Sequence, residues 1–222
     1  MVLAAAGLLC GTAVLAEEIY TPLGPVTTKI GAAEVVDGDT LRIDDVNVRL
    51  HGIDAPELSQ TCGDKPCGRM SRDWLAARVE RRMLECLGNA RDQHDRFVAL
   101  CRVDGQNLNR ETVAAGWAVA YTKYTDVYVT DEEAAREARQ GLWSMAFERP
   151  SEHRAARRRA GPSVTPPNAE CGIKGLVEAG GALVYRSSDW EGYAGRAVDE
   201  GLGERWFCSP ADAEAAGWRK AA

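Results

Sequence analysis

Three short stretches of this chain crowd carboxylates and arginines into turns: Val36-Asp37-Gly38-Asp39-Thr40, Arg49-Leu50-His51-Gly52-Ile53-Asp54-Ala55-Pro56-Glu57 and Asp92-Gln93-His94-Asp95-Arg96. Hard divalent cations take several oxygen ligands, and phosphoryl transfer needs cations facing phosphate oxygens. Carboxylates interleaved with guanidinium groups therefore suit metal-assisted phosphodiester hydrolysis. Spacing alone does not establish that chemistry, because Asp-Gly turns are common in hairpins and ion pairs between such groups are ordinary. Asp37 reads as a turn former ahead of a ligand, and Asp92 as a turn residue ahead of orienting its loop or weakly assisting a metal. His51, His94 and His153 read as surface or loop residues, since no nucleophile with an orienting third group accompanies them.

The elements that must carry these turns follow from periodicity. From Val26 to Leu50 the pattern is strand-like: Ala33 to Val36, Thr40 to Ile43 and Val46 to Leu50 are separated by Asp-Gly and Asp-Asp turns. Between Gly68 and Arg82 the period changes, with Met70, Trp74, Leu75 and Val79 at helical spacing. Two further strands, Met83 to Leu87 and Val98 to Val103, flank a loop from Gly88 to Arg96. A short helix is expected over Leu108 to Ala115. A second is expected from a capping box at Thr130-Asp131-Glu132-Glu133 through Gln140, with Gly141 as its stop. Five strands and three helices in this order predict an α+β fold, a small closed barrel of the oligonucleotide-binding type covered by helices.

The chain has 222 residues, 45% of them hydrophobic and 27% charged, which is ordinary for a folded protein and argues against wholesale disorder. Its formal net charge of −6 lowers the expectation of a tight nucleic-acid binder more than that of a nuclease, which needs only a local positive cleft. The uncharged run MVLAAAGLLCGTAVLA reads as a secretory signal at 1–16, although it carries no Lys or Arg, so an uncleaved anchor stays open. The mature protein is expected to lack a membrane span and to be a secreted or periplasmic monomer. With Cys10 inside that run, six cysteines remain, paired by neighbourhood as Cys62–Cys67, Cys86–Cys101 and Cys171–Cys208 out of fifteen possible connectivities. Zinc is the rival use of these cysteines. The lack of a Cys-x2-Cys pair and the presence of only three histidines weigh against it.

Domain limits follow as a main domain at 17–159, a Gly- and Pro-containing linker at 160–170 and a small module at 171–222, stapled by one disulfide. Arg154 to Arg159 reads as a solvated helix end leading into the linker. Trp74, Trp117 and Trp143 are expected in the main core. Trp190, Trp206 and Trp218 are expected to pack the small module.

The strings VVDGDT, R-L-H-G-I-D-A-P-E and D-x-x-D-R, followed by Ala-Gly-Trp-Ala-Val-Ala-Tyr and Ala-Arg-Gln-Gly-Leu-Trp, resemble the staphylococcal (micrococcal) nuclease-like family over roughly Thr28 to Phe147. The resemblance implies calcium held by Asp39, Asp54 and the carbonyl of Ala55. It also implies a water-activating carboxylate at Glu57 and phosphate-clamping arginines at Arg49 and Arg96. The substrates it implies are DNA and RNA, cleaved with little sequence preference because contacts go to the backbone, leaving 3′-phosphates. Asp95 and His94 stand where many relatives have Gly and Tyr. Tyr121 and Tyr124 fall near the family's substrate-side tyrosines. The rival reading is a catalytically silent barrel that only binds single-stranded nucleic acid. The tail from Cys171 resembles a small module appended to some bacterial secreted members.

Overall fold

A computed structural model describes residues 26–178 and 181–221. The candidate signal at 1–16 lies outside the described residues. Strand β1 (Thr27–Asp37) turns into β2 (Thr40–Ile43) and β3 (Val46–Leu50), and the two residues of β4 (Ile53–Asp54) follow. Helix α1 (Cys67–Val79) then leads to β5 (Met83–Arg91) and β6 (Phe97–Val103). Antiparallel pairings run β3-β2-β1-β5-β6, and a parallel pairing of β3 with β6 closes the five strands into a barrel. In β6 the residues Phe97, Ala99, Cys101 and Val103 are buried while their neighbours are not, the period-two pattern of a strand with one face on a core. Cys86 and Cys101 are direct cross-strand partners and form a disulfide.

Short β7 (Gln106–Asn107) precedes α2 (Leu108–Ala114), whose first turn is capped by the Asn107 side chain accepting from the Arg110 N–H. After β8 (Val119–Ala120), which pairs with β4, comes α3 (Val129–Glu137). The expected capping box does not form. The helix begins at Val129 behind Tyr128, which makes no side-chain cap, and Thr130 lies inside the first turn. Glu132 is instead drawn inward, its Oε2 accepting the Ala120 N–H at 2.6 Å. The loop expected at 88–96 is also shorter, because β5 continues to Arg91 across a register shift between Gly88 and Ala90.

A fourth helix, α4 (Pro150–Ala160), starts on a buried proline at its first position and ends at Gly161, whose φ of 75° suits a residue without Cβ. Beyond it, β9 (Ile173–Val177), β10 (Leu183–Arg186), β11 (Arg205–Phe207), α5 (Pro210–Ala215) and β12 (Arg219–Lys220) make a second sheet in the order β11-β9-β10-β12. Cys171–Cys208 staples this unit. Its apolar face does not close on itself: Tyr185, Phe207, Ala213 and Trp218 share a cluster with Val36 of β1 and Leu58. Polar stitches run alongside, with Arg72 paired to Asp212 and the Asn168 side chain donating to the Ser59 carbonyl at 2.9 Å. Trp206 is buried in a second small cluster of the same unit. Among the described residues, no helix is long and apolar enough to cross a membrane.

Candidate active site

The register of three strands assembles the site. Thr40 on β2 faces Arg49 on β3, and Arg49 faces Val98 on β6, two residues beyond Arg96. Barrel closure thus brings the first and third acidic turns to the same end. Asp54 is fixed by the pairing of β4 with β8, where it faces Val119. Gly38 lets α1 approach this end, since a Cβ there would lie 2.1 Å from Ser71 Oγ and 2.7 Å from the Ala55 Cβ. Glu57 follows on a turn in which the Gln60 N–H donates to the Glu57 carbonyl at 2.7 Å. The Cys62–Cys67 disulfide and buried Leu142 pack together just beyond that turn.

Arg49 is the hub. Its guanidinium pairs with Asp39, lies 3.4 Å from Asp54 Oδ1 and donates to the Ile53 carbonyl at 3.0 Å. Asp39, 6% exposed, also accepts from the Ala55 N–H at 2.7 Å and from the Thr40 hydroxyl at 3.1 Å. Thr40 in turn accepts from Arg96 Nη1 at 3.3 Å, so one hydroxyl joins the two arginine clusters. Arg96 is held by Asp92 and Asp37 accepts the Asp39 N–H at 3.1 Å, the orienting and turn-forming roles read from their sequence. Burial is the largest influence on Arg49 and lowers its pKa, and the nearby charge of Arg96 lowers it further. Two guanidinium groups tied together through Asp39 and Thr40 make a place for an anion.

One residue that matters here escaped the sequence reading. Arg154, on α4, donates from Nη2 to Asp54 Oδ2 and from Nη1 to Glu57 Oε1, both at 2.9 Å. It is not the solvated helix end expected. Burial opposes its charge and is the largest single influence, but the bond to Asp54 and the charges of Glu57 and Asp54 outweigh it, so its pKa is raised. Arg157, one turn on, pairs with Glu200 of the C-terminal unit. Nothing local signals either contact, because the partners lie 97 and 100 residues from Arg154 and 43 from Arg157. Beside Asp54, a cleft of about 370 Å³ is lined by Tyr121, Lys123, Glu132 and Arg149 among others. Tyr121 and Tyr124 meet edge to face at 5.1 Å.

Residues 47–145 match the family model described as staphylococcal nuclease homologue. The chain is 34% identical over 160 residues to the succinoglycan biosynthesis protein ExoI of Rhizobium meliloti (strain 1021), covering 68% of this chain and 84% of that one. It is 32% identical over 136 residues to an uncharacterized endonuclease of Haemophilus influenzae, covering 57% and 74%. The chain belongs to the staphylococcal nuclease homologues. Its five-stranded barrel, with Asp39, Arg49, Asp54, Glu57 and Arg96 at one end, is thus a nuclease scaffold. Carboxylate and carbonyl oxygens are the donors that calcium, the ion on which the family generally depends, prefers. By type, then, Asp39, Asp54 and Ala55 suit the ion. By arrangement, no group of three or more metal-ligating side chains is gathered among the described residues, and the carboxylates are tied to guanidinium and N–H donors.

Proposed function

We propose that this nuclease homologue is an exported, calcium-dependent phosphodiesterase that cleaves DNA and RNA with little sequence preference and leaves 3′-phosphates. The observation that carries the reading is the chain of contacts that ties the two arginines together: Arg49 pairs with Asp39, whose Oδ1 accepts from the Thr40 hydroxyl, and Thr40 accepts from Arg96, itself held by Asp92. In this proposal both guanidinium groups grip non-bridging oxygens of one phosphate and stabilise the charge that builds up as the attacking oxygen arrives. Glu57 orients the attacking water and accepts its proton as the water oxygen bonds to phosphorus and the P–O5′ bond breaks, the departing 5′ oxygen taking its proton from solvent. Asp39, Asp54 and the Ala55 carbonyl hold calcium, which when bound supplies Lewis-acid polarisation of the phosphoryl group. Contacts of this kind go to the phosphodiester backbone and leave base edges unread.

Export is supported by three disulfides in the described residues, since such bonds persist in oxidising compartments. The decisive experiment incubates the purified full chain with plasmid DNA and with RNA, in calcium and in excess chelator. Calcium-dependent nicking and linearisation, with 3′-phosphate ends, is the expected result. Retention of nucleic acid without cleavage under every condition would instead favour the silent binding barrel.

A further inference from the structure

The position of Arg154 bears on how the cation reaches its site, an inference that rests on calcium being the ion this nuclease uses. A single planar guanidinium bridges Asp54 Oδ2 and Glu57 Oε1, the oxygens of the metal-holding and water-positioning carboxylates. Asp54 Oδ1 faces Arg49, and both oxygens of Asp39 are engaged, by Arg49 and Thr40 on one and the Ala55 N–H on the other. The groups gathered at this end are therefore the carboxylates of Asp39, Asp54 and Glu57 and the guanidinium groups of Arg49 and Arg154, with Arg96 joined to them through Thr40. A divalent cation on Asp54 would compete for the oxygen that Arg154 holds. It would also be repelled by Arg154 at separations where unscreened charges interact strongly.

The side chain is able to leave, because it is 27% exposed, whereas Asp54 beneath it is 1% exposed. The helix that carries it is anchored at both ends. Pro150 is buried, and the preceding Glu148 carbonyl accepts from Gln60 Nε2 at 2.8 Å. At the far end Arg157 pairs with Glu200, and Ser163 and Val198 exchange backbone hydrogen bonds of 3.0 and 2.8 Å. These ties to the C-terminal unit hold α4 in register, with Arg154 aimed at the carboxylates and Arg157 one turn away aimed at the unit.

We propose that Arg154 is an internal competitor for the divalent cation, a latch on Asp54 and Glu57 that must swing aside for calcium to bind, and that the C-terminal unit sets its tension through Arg157 and Glu200. A latch closed about nine-tenths of the time weakens apparent cation affinity roughly tenfold. The test is calorimetric titration of calcium into the full chain, with calcium-dependent thermal shifts as a second readout, on the parent, Arg154→Gln and Arg157→Gln. Arg154→Gln is expected to bind calcium about tenfold more tightly and to show a larger calcium-induced rise in Tm from a lower starting point. Arg157→Gln, which leaves the carboxylates untouched, should shift affinity in the same direction by a smaller factor. Unchanged or weaker calcium binding by Arg154→Gln overturns the latch. If that variant does not fold, unchanged affinity in Arg157→Gln overturns it. A parent that neither binds calcium nor cleaves with it overturns the calcium reading instead, which is a different result from a parent that binds and a variant that binds no better.

Discussion

Asp92 grips Arg96 through both of its oxygens: Oδ1 accepts the Arg96 backbone N–H at 3.0 Å, and Oδ2 accepts Nε at 2.8 Å and lies 2.7 Å from Nη2. Burial is the largest influence on the Asp92 carboxyl and works to raise its pKa. The bonds and charge of Arg96 outweigh it and hold the group below its usual 3.8. Because the folded value is the lower one, the stabilisation is complete above about pH 4 and is lost only as pH falls through the depressed value. Asp92→Ala should therefore lower kcat/KM roughly tenfold or more by freeing the arginine, with a loss of at most about 1 kcal/mol in stability. Unaltered single-turnover cleavage by Asp92→Ala would show that Arg96 needs no such support.

Replacing either clamp arginine with alanine should slow single-turnover cleavage of a short oligonucleotide about a hundredfold or more. Binding of a non-hydrolysable analogue should weaken far less, since the contacts strengthen as charge develops. Glu57→Gln should match them in rate, while Asp39→Ala should also raise the calcium concentration needed. Variants that cleave at the parent rate at saturating calcium would remove these residues from the chemistry.

Burial, and then the charge of Arg49, push the His51 imidazole below its ordinary 6.5. Between that lowered value and 6.5 the unfolded chain binds more protons than the folded one, so this contribution is whole above pH 6.5 and drains away as pH falls through the folded value. His51→Gln should flatten the fall of Tm between about pH 6.5 and pH 5 relative to the parent. Melting curves that remain parallel for the two proteins across that window would disprove the assignment.

Deleting 171–222 removes no matched catalytic residue but uncovers Val36, 5% exposed in the intact chain, and its partner Leu58. Loss of that shared cluster should cost about 2–4 kcal/mol and lower Tm by roughly 5–15 °C. The truncated protein should still hydrolyse naked DNA below its new melting temperature. A folded truncation with no activity would place part of the active site in the C-terminal unit.

Much of this protein was legible in its sequence because the deciding interactions are local or periodic. The alternation over Phe97 to Val103 gave a strand, the acidic Asp-Gly turn gave a hairpin, and cysteine neighbourhood gave all three observed disulfides. The capping box at Thr130 failed for the opposite reason. Glu132 forms stronger tertiary bonds to the Ala120 N–H and to Arg149 than the helix end offers it. Arg154 was invisible for a like reason: one arginine among several on a polar helix carries no signal of what it meets a hundred residues earlier. The seating of Phe207 and Trp218 over Val36 was likewise a decision of the tertiary structure, because composition marks a residue as buried without saying which surface buries it. Motif order named the candidate site residues; closure of β3 onto β6 and the docking of α4 decided which of them touch.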